Sequence, residues 1–238
     1  MRPNSTLAPL FQGLLMDMIP EEYAYSMHAS SLHPYSQYIT ADGDSVRWTI
    51  NALNSSAKEN ITDILLSDSF KTAEISYKNA VLHIKDKSIS QISYSELLDK
   101  YYLRGESCRY ISYEFLTQTA FKSNGKYVIM PNSELILNSL VRKYDSVSES
   151  VQMEDDALSE YIKEHTEIVE YGLRSRKFAM EGISIPSFTG FVKIKLSGNP
   201  EFISLCNMLL DFAQYSGIGI KTAMGMGAGR ITNTGGVI

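Results

Sequence analysis

Four glycines stand within eleven residues near the end of the chain, in Gly217-Ile-Gly219-Ile-Lys221-Thr-Ala-Met-Gly225-Met-Gly227. Glycine is needed where backbone takes positive φ or lies flush against another group, so this density demands a tightly shaped loop. A helix leads into it. Pro200 opens an amphipathic pattern with Phe202, Leu205, Leu209, Phe212 and Ala213 on one face, and Gly217 stands where helices stop. Successive N–H groups in such a loop form an anion-binding nest, and Lys221 at its centre adds a point charge, so a phosphate is the expected ligand. A dinucleotide fingerprint is excluded, because it needs a preceding strand and Thr222 stands at its sixth position; the P-loop pattern is absent. A glycine-rich hairpin without a ligand stays open on the glycines alone.

The rest of the chain reads as two α+β halves. Asn4 or Ser5 is expected to cap a helix with Leu7, Leu10, Phe11, Leu14, Leu15 and Met18 on its buried face, ending near Pro20. A second helical stretch follows over 21–31. Strands are predicted over 35–40 and 46–52, then a helix with a Ser56/Glu59 capping box, a strand pair over 71–77 and 81–85, and a short helix over 93–102. This order is a ferredoxin-like βαββαβ unit whose opening strand is apparently missing. A second cycle begins after Gly105: strands over 109–117 and 126–130, a helix capped by Asn132 or Ser133, an acidic helical excursion, a hairpin over 168–180 and 188–196, and the helix into the glycine run. The expected organisation is tandem ferredoxin-like domains, 1–106 and 107–238.

Composition narrows the setting. No apolar run approaches the ~20 residues that span a bilayer, and the stretch from Leu7 to Met16 is interrupted by Gln12 and followed by acids, unlike a signal peptide. Cys108 and Cys206 form neither a disulfide framework nor a metal knuckle, as expected of a cytoplasmic protein without a metal or other cofactor. The net charge is −5, but it is unevenly spread. Nine acids against Lys163 alone fill 144–170, whereas 171–238 holds 7 basic and 3 acidic residues. A local basic face on an acidic protein can still bind a polyanion.

The pattern G-h-G, five residues, G-h-G directly after a ferredoxin-like helix resembles the glycine-rich loop of the RAMP superfamily, an RRM-like group. More narrowly, the run from Ala213 to Gly227 looks like that of the CRISPR repeat-processing endoribonucleases. Phe115-Leu-Thr-Gln-Thr-Ala-Phe-Lys-Ser-Asn-Gly-Lys-Tyr, Phe188-Thr-Gly-Phe-Val and Phe11-Gln12-Gly13-Leu14 are similar to other parts of that family. The resemblance implies metal-independent RNA cleavage, with the ribose 2′-hydroxyl attacking the adjacent phosphate to leave a 2′,3′-cyclic phosphate. The implied partner is a CRISPR repeat transcript. An effector complex and a homodimer are further partners it allows, and no membrane is expected.

Such chemistry needs a base, an acid and a cation or dipole at phosphorus. The family's histidine ends the second helical stretch before a strand, which by resemblance assigns the role to His28, with His33 in reserve. Tyr25, three residues earlier on the same helical face, is the candidate assistant. Met16 stands where some members carry a tyrosine. RNA contacts are expected from Gly217, Gly219, Lys221, Gly225 and Gly227, and from a cationic sheet face bearing Arg174, Arg176 and Lys177 on one strand and Lys193 and Lys195 on its partner. Arg142 and Lys143 read as complements to their helix dipole. The rival expectation is a non-catalytic subunit that holds guide RNA in an effector complex.

Overall fold

The computed structural model describes residues 7–29, 32–75, 80–148, 152–180 and 182–237. Its elements in chain order are α1 (Ala8–Met18), α2 (Glu21–Ala29), β1 (Tyr35–Asp42), β2 (Ser45–Ala52), α3 (Ser55–Ala57), α4 (Asp63–Leu66), β3 (Thr72–Ile75), β4 (Ala80–His83) and α5 (Tyr94–Tyr102). The second half follows with β5 (Cys108–Thr119), β6 (Phe121–Ser123), β7 (Lys126–Val128), α6 (Ser133–Val147), α7 (Asp156–His165), β8 (Thr166–Met180), β9 (Ile183–Leu196), α8 (Pro200–Ser216) and β10 (Gly229–Val237).

In the second half, alternation along β5 turns Ile111, Tyr113 and Phe115 inward, and β9 does the same with Val192, Ile194 and Leu196. The apolar stripes of α6 (Ile136, Leu137, Leu140) and α8 (Ile203, Leu209, Leu210) close over that face and complete one core. The sheet runs β10-β5-β9-β8, so its strands stand in the spatial order fourth, first, third, second, all antiparallel. With α6 after the first strand and α8 after the third, this is the ferredoxin-like arrangement.

Several local expectations change. The strand expected over 126–130 lies outside this sheet: Lys126–Val128 pairs with β6 around Asn124 and Gly125, both at positive φ, which close a tight hairpin. β10 is unforeseen because Asn233, Gly235 and Gly236 mask any strand pattern, yet it pairs along β5. The Ser56/Glu59 box is replaced by Asn54, whose side chain accepts from the Ala57 N–H. A full capping box forms instead at Ser93 and Glu96. Asn132 caps α6 as expected. The Asn4 or Ser5 cap and the question of an opening strand fall on residues outside those described.

The first half carries its strands as two separate hairpins, β1-β2 and β3-β4. Helix α1 lies across both, packing Ala8, Phe11 and Leu14 against Ile39, Ala73 and Ile75. Helix α5 turns the other way, onto α8, where Leu97 and Tyr101 join the core of the second half. Buried Asp211 of α8 accepts from Lys100 Nζ at 2.7 Å and from the Tyr101 hydroxyl at 2.8 Å. The two halves are thus bonded together through a satisfied polar cluster as well as through apolar contact.

Candidate functional site

The glycine run forms a closed loop folded against both halves. Gly217 ends α8 at φ +65°, and Gly219, Gly225 and Gly227 follow at +80°, +97° and +74°. A Cβ on Gly219 would stand 2.3 Å from the Ala120 carbonyl oxygen, and one on Gly227 2.0 Å from that of Ile218. On Gly225 it would stand 2.3 Å from the Ala8 Cβ, so the loop touches α1 directly. The expected nest of glycine N–H groups is corrected here. Gly217 N–H donates to Ala213 O, Gly219 to Ser139 Oγ, Gly225 to Thr222 O and Gly227 to Gln118 O, so these four groups face protein. Close packing is what demands glycine.

Lys221 stands at the apex of the loop, at the left-handed φ of +55° although it carries a Cβ. Its carbonyl accepts from the N–H groups of Met224 and Met226, which holds it in that conformation. The side chain is half-buried, with Nζ 3.9 Å from Met224 Sδ.

Lys143 is a buried neighbour of the loop, a placement that the dipole reading missed. It is buried at 7% exposure, and its Nζ donates to the carbonyls of Ser216 (3.1 Å) and Gly217 (3.0 Å) and to the Thr222 hydroxyl (3.0 Å). One amine therefore ties the start and the middle of the loop to α6. Desolvation holds its pKa down, to about 7. A signal was present in the sequence: positions 136, 140, 143 and 147 form one helical stripe, and three of them are apolar.

The first half supplies the opposite wall of the joint. Gln37 of β1 is buried; its Nε2 donates to Ala223 O in the loop at 2.8 Å, and its Oε1 accepts from Trp48 Nε1 at 2.5 Å. Ala223 also packs in a cluster with Leu15, Ile19, Met27 and Tyr35, with Met16 at the margin. Met27 is the residue before His28, so helix α2 and the glycine loop meet in one apolar cluster. The side chain of His28 lies outside the described residues. Tyr25 points to solvent at 77% exposure. His33 is half-buried with its ring 5.8 Å from that of Tyr35, whose hydroxyl pKa burial pushes up to about 12. The His165 ring lies 4.0 Å from that of Tyr161, tilted by 57°, and His83 is exposed at the end of β4.

A cleft of about 590 Å³ separates β1 at Ile39, Thr40 and Ala41 from the open face of the second sheet. Arg174 and Arg176 line it, and among the described residues neither makes an ion pair. Lys177 alternates to the opposite face of β8. Register places Lys193 and Lys195 on the cleft face, opposite Glu170 and Glu167. Lys193 lies 3.8 Å from the Glu170 carboxylate and 5.8 Å from the Tyr110 ring centroid, so this end of the face is largely neutralised. Gly172 and Gly190 permit close approach at the floor: a Cβ on Gly172 would stand 2.5 Å from the Phe191 ring that covers it, and one on Gly190 1.9 Å from Gly172 O. The cleft therefore presents two guanidinium groups without a carboxylate partner among the described residues, the kind of group that recognises phosphate; Arg176 Nη1 also donates to Ser175 O at 3.3 Å.

Comparison with known proteins identifies the family. A family model described as CRISPR-associated endoribonuclease Cas6 matches residues 113–228. The chain is 32% identical over 228 residues to the CRISPR-associated endoribonuclease Cas6 of Mycobacterium tuberculosis, covering 95% of this chain and 72% of that protein. It is 31% identical over 227 residues to the Streptococcus thermophilus Cas6, covering 94% and 91%. The chain belongs to the Cas6 endoribonuclease family. Two solved Cas6 product complexes share its fold, with TM-scores of 0.83 and 0.79 at 21% and 20% identity; they cover 98% and 96% of this chain, and the chain covers 96% and 92% of theirs. As a Cas6 endoribonuclease the protein is an enzyme, and the rival reading as a non-catalytic subunit is not favoured. No described helix is long and apolar enough to cross a membrane.

Proposed function

We propose that this Cas6 protein cuts CRISPR repeat transcripts at one phosphate to release guide RNAs, by a metal-independent transesterification. The ribose 2′-oxygen attacks the adjacent phosphorus, the bond to the 5′-oxygen breaks, and the products end in a 2′,3′-cyclic phosphate and a 5′-hydroxyl. His28 is the proton-transfer group at this step, Tyr25 assists in placing the substrate, and Lys221 offsets charge on the phosphate. Arg174 and Arg176 hold the RNA backbone in the cleft; Lys193 and Lys195 lie on the same face, with Lys177 on its reverse. Gly217, Gly219, Gly225 and Gly227 act indirectly, by shaping the loop that presents Lys221. The product passes to an effector complex in the cytoplasm.

The observation that most supports this reading is the shared cluster of Met27 and Ala223, because it brings the His28 helix and the Lys221 loop to one joint between the halves. Incubation of the adjacent-locus repeat RNA with chelator, followed by end-group analysis, tests it. His28→Ala is expected to cut at least ~100-fold more slowly with RNA affinity retained. Undiminished cleavage by this variant, or cleavage that chelator abolishes, defeats the mechanism.

The cleft contacts carry a separate expectation. Replacing Arg174 and Arg176 together by alanine should flatten the plot of log affinity against log salt by about 1.4 to 1.8, since each neutralised phosphate contributes ~0.7 to 0.9. Titration of the repeat RNA between ~50 and 200 mM salt measures the slope, and an unchanged slope removes these residues from the interface.

A further inference from the structure

Strand β8 is one edge of the second sheet. It is fifteen residues long, and among the described residues its ladder bonds run to β9 alone. From Glu167 to Lys177 every residue is exposed except half-buried Ile168 and Leu173. A free edge of this length invites pairing with another strand, and proteins that keep such an edge apart from other chains usually do so with like charges, proline or a strong bulge. This edge has one bulge, at Val169, but its charges come in both signs and in separate blocks, with Glu167 and Glu170 before Gly172 and Arg174 and Arg176 after it.

That order is self-complementary. An antiparallel pair of identical strands about a two-fold axis normal to the sheet keeps each side chain on its own face. With the axis at Gly172, Glu170 stands opposite Arg174 and Tyr171 opposite Leu173. The ladder to β9 shifts register between Ile168 and Glu170, leaving Val169 unpaired. The same bulge sets Ile168 opposite Ser175 and Glu167 opposite Arg176. Both unlike pairs, each made twice by symmetry, then lie on the cleft face. On the other face the 59% exposed Tyr171 and Leu173 extend an apolar strip with Met130, Ile168 and Val192. Moving the axis to Tyr171 makes one unlike pair, Glu167 with Arg174, and sets Glu170 against Gly172; moving it to Leu173 pairs Glu170 with Arg176 and sets Arg174 against Gly172.

We infer that β8 is a self-association edge, where a second copy of this chain adds antiparallel about Gly172 so that one sheet runs through both copies. This gives a geometry to the homodimer that the sequence resemblance allows, and it holds whether or not His28 performs the cleavage. Sedimentation velocity without RNA tests it, since phosphate and carboxylate both compete for Arg174 and Arg176. The wild-type chain is expected to dimerise at tens of micromolar. E170R alone sets like charges against Arg174 of the second copy, R174E alone sets like charges against Glu170, and each should weaken association at least ~10-fold, near the ~1.4 kcal/mol that one tenfold step represents. An equimolar mixture of E170R and R174E restores unlike charges at both positions and should dimerise again. Misfolding of either variant cannot produce that recovery. A wild-type chain that stays monomeric at ~100 µM, single variants that dimerise like wild type, or a mixture that remains monomeric each overturns the proposal.

Discussion

Gly227→Ala is expected to destabilise the protein by about 3 kcal/mol or more, because two independent costs fall on one methyl group. The residue sits at φ +74°, where an L side chain costs ~1–2 kcal/mol, and its Cβ would overlap the Ile218 carbonyl oxygen at 2.0 Å. That oxygen belongs to the same loop and cannot retreat as a flexible side chain would. At ~2–4 °C per kcal/mol for a chain of this size, the melting temperature should fall by roughly 6–12 °C, with repeat cleavage lost as Lys221 is displaced. Gly13→Ala is the matched control. Gly13 is exposed within α1 and a Cβ there meets nothing within 4 Å, so alanine should gain ~0.5–1 kcal/mol through helix propensity. Equal melting of the two variants would show that the loop tolerates a side chain.

Lys143→Met should cost about 2–3 kcal/mol near neutral pH. Methionine fills the same space, but it removes the donor from the Ser216 carbonyl and the Thr222 hydroxyl in a buried site and leaves the Gly217 carbonyl with the Ser216 hydroxyl alone. Removing the burial of an ammonium group offsets part of that loss. The pH dependence separates this lysine from an ordinary packing residue. In the unfolded chain its amine keeps a proton up to an alkaline pKa near ~10.4, whereas in the folded chain it releases the proton near 7. The unfolded state therefore binds more protons between these values, and wild-type stability gains from this group as pH rises from about 7. Melts at pH 6, 7.5 and 9 should show the gap between wild type and Lys143→Met widening with pH. A gap that is constant or narrows would place the charge elsewhere. Trp48 is the sole tryptophan and bonds Gln37, which bonds the loop, so its emission reports on the joint in the same samples.

Much of the second half was legible because its signals are local. Alternation in β5 and β9, the Asn132 cap of α6 and the Pro200 start and Gly217 stop of α8 each act within a few residues, and each reappears in the fold. The basic residues were legible as residues but only partly as a surface. Arg174 and Arg176 share one face, but Lys177, expected beside them, points to the other, and the glutamates facing Lys193 and Lys195 come from the neighbouring strand and depend on register. β10 was hidden because its glycines carry no hydrophobic pattern; the free edge of β5 makes it a strand. Helix α5 was assigned to the wrong surroundings for a similar reason, since nothing within 94–102 specifies a bond to Asp211, more than a hundred positions away.

By itself the sequence determined that a tight loop follows α8, that two α+β units make up the chain, and which residue types stand ready for RNA chemistry. Backbone conformation and side-chain periodicity are set by near neighbours, and glycine density reports them directly. Only the tertiary structure decided why those glycines are needed. Their N–H groups face protein, and their missing side chains admit Ala8, Ala120 and Ile218 at distances no Cβ could share. It also made Lys143 a buried tie and brought α2 against the loop through Met27 and Ala223, because contact between distant segments depends on how the halves dock rather than on spacing within either one.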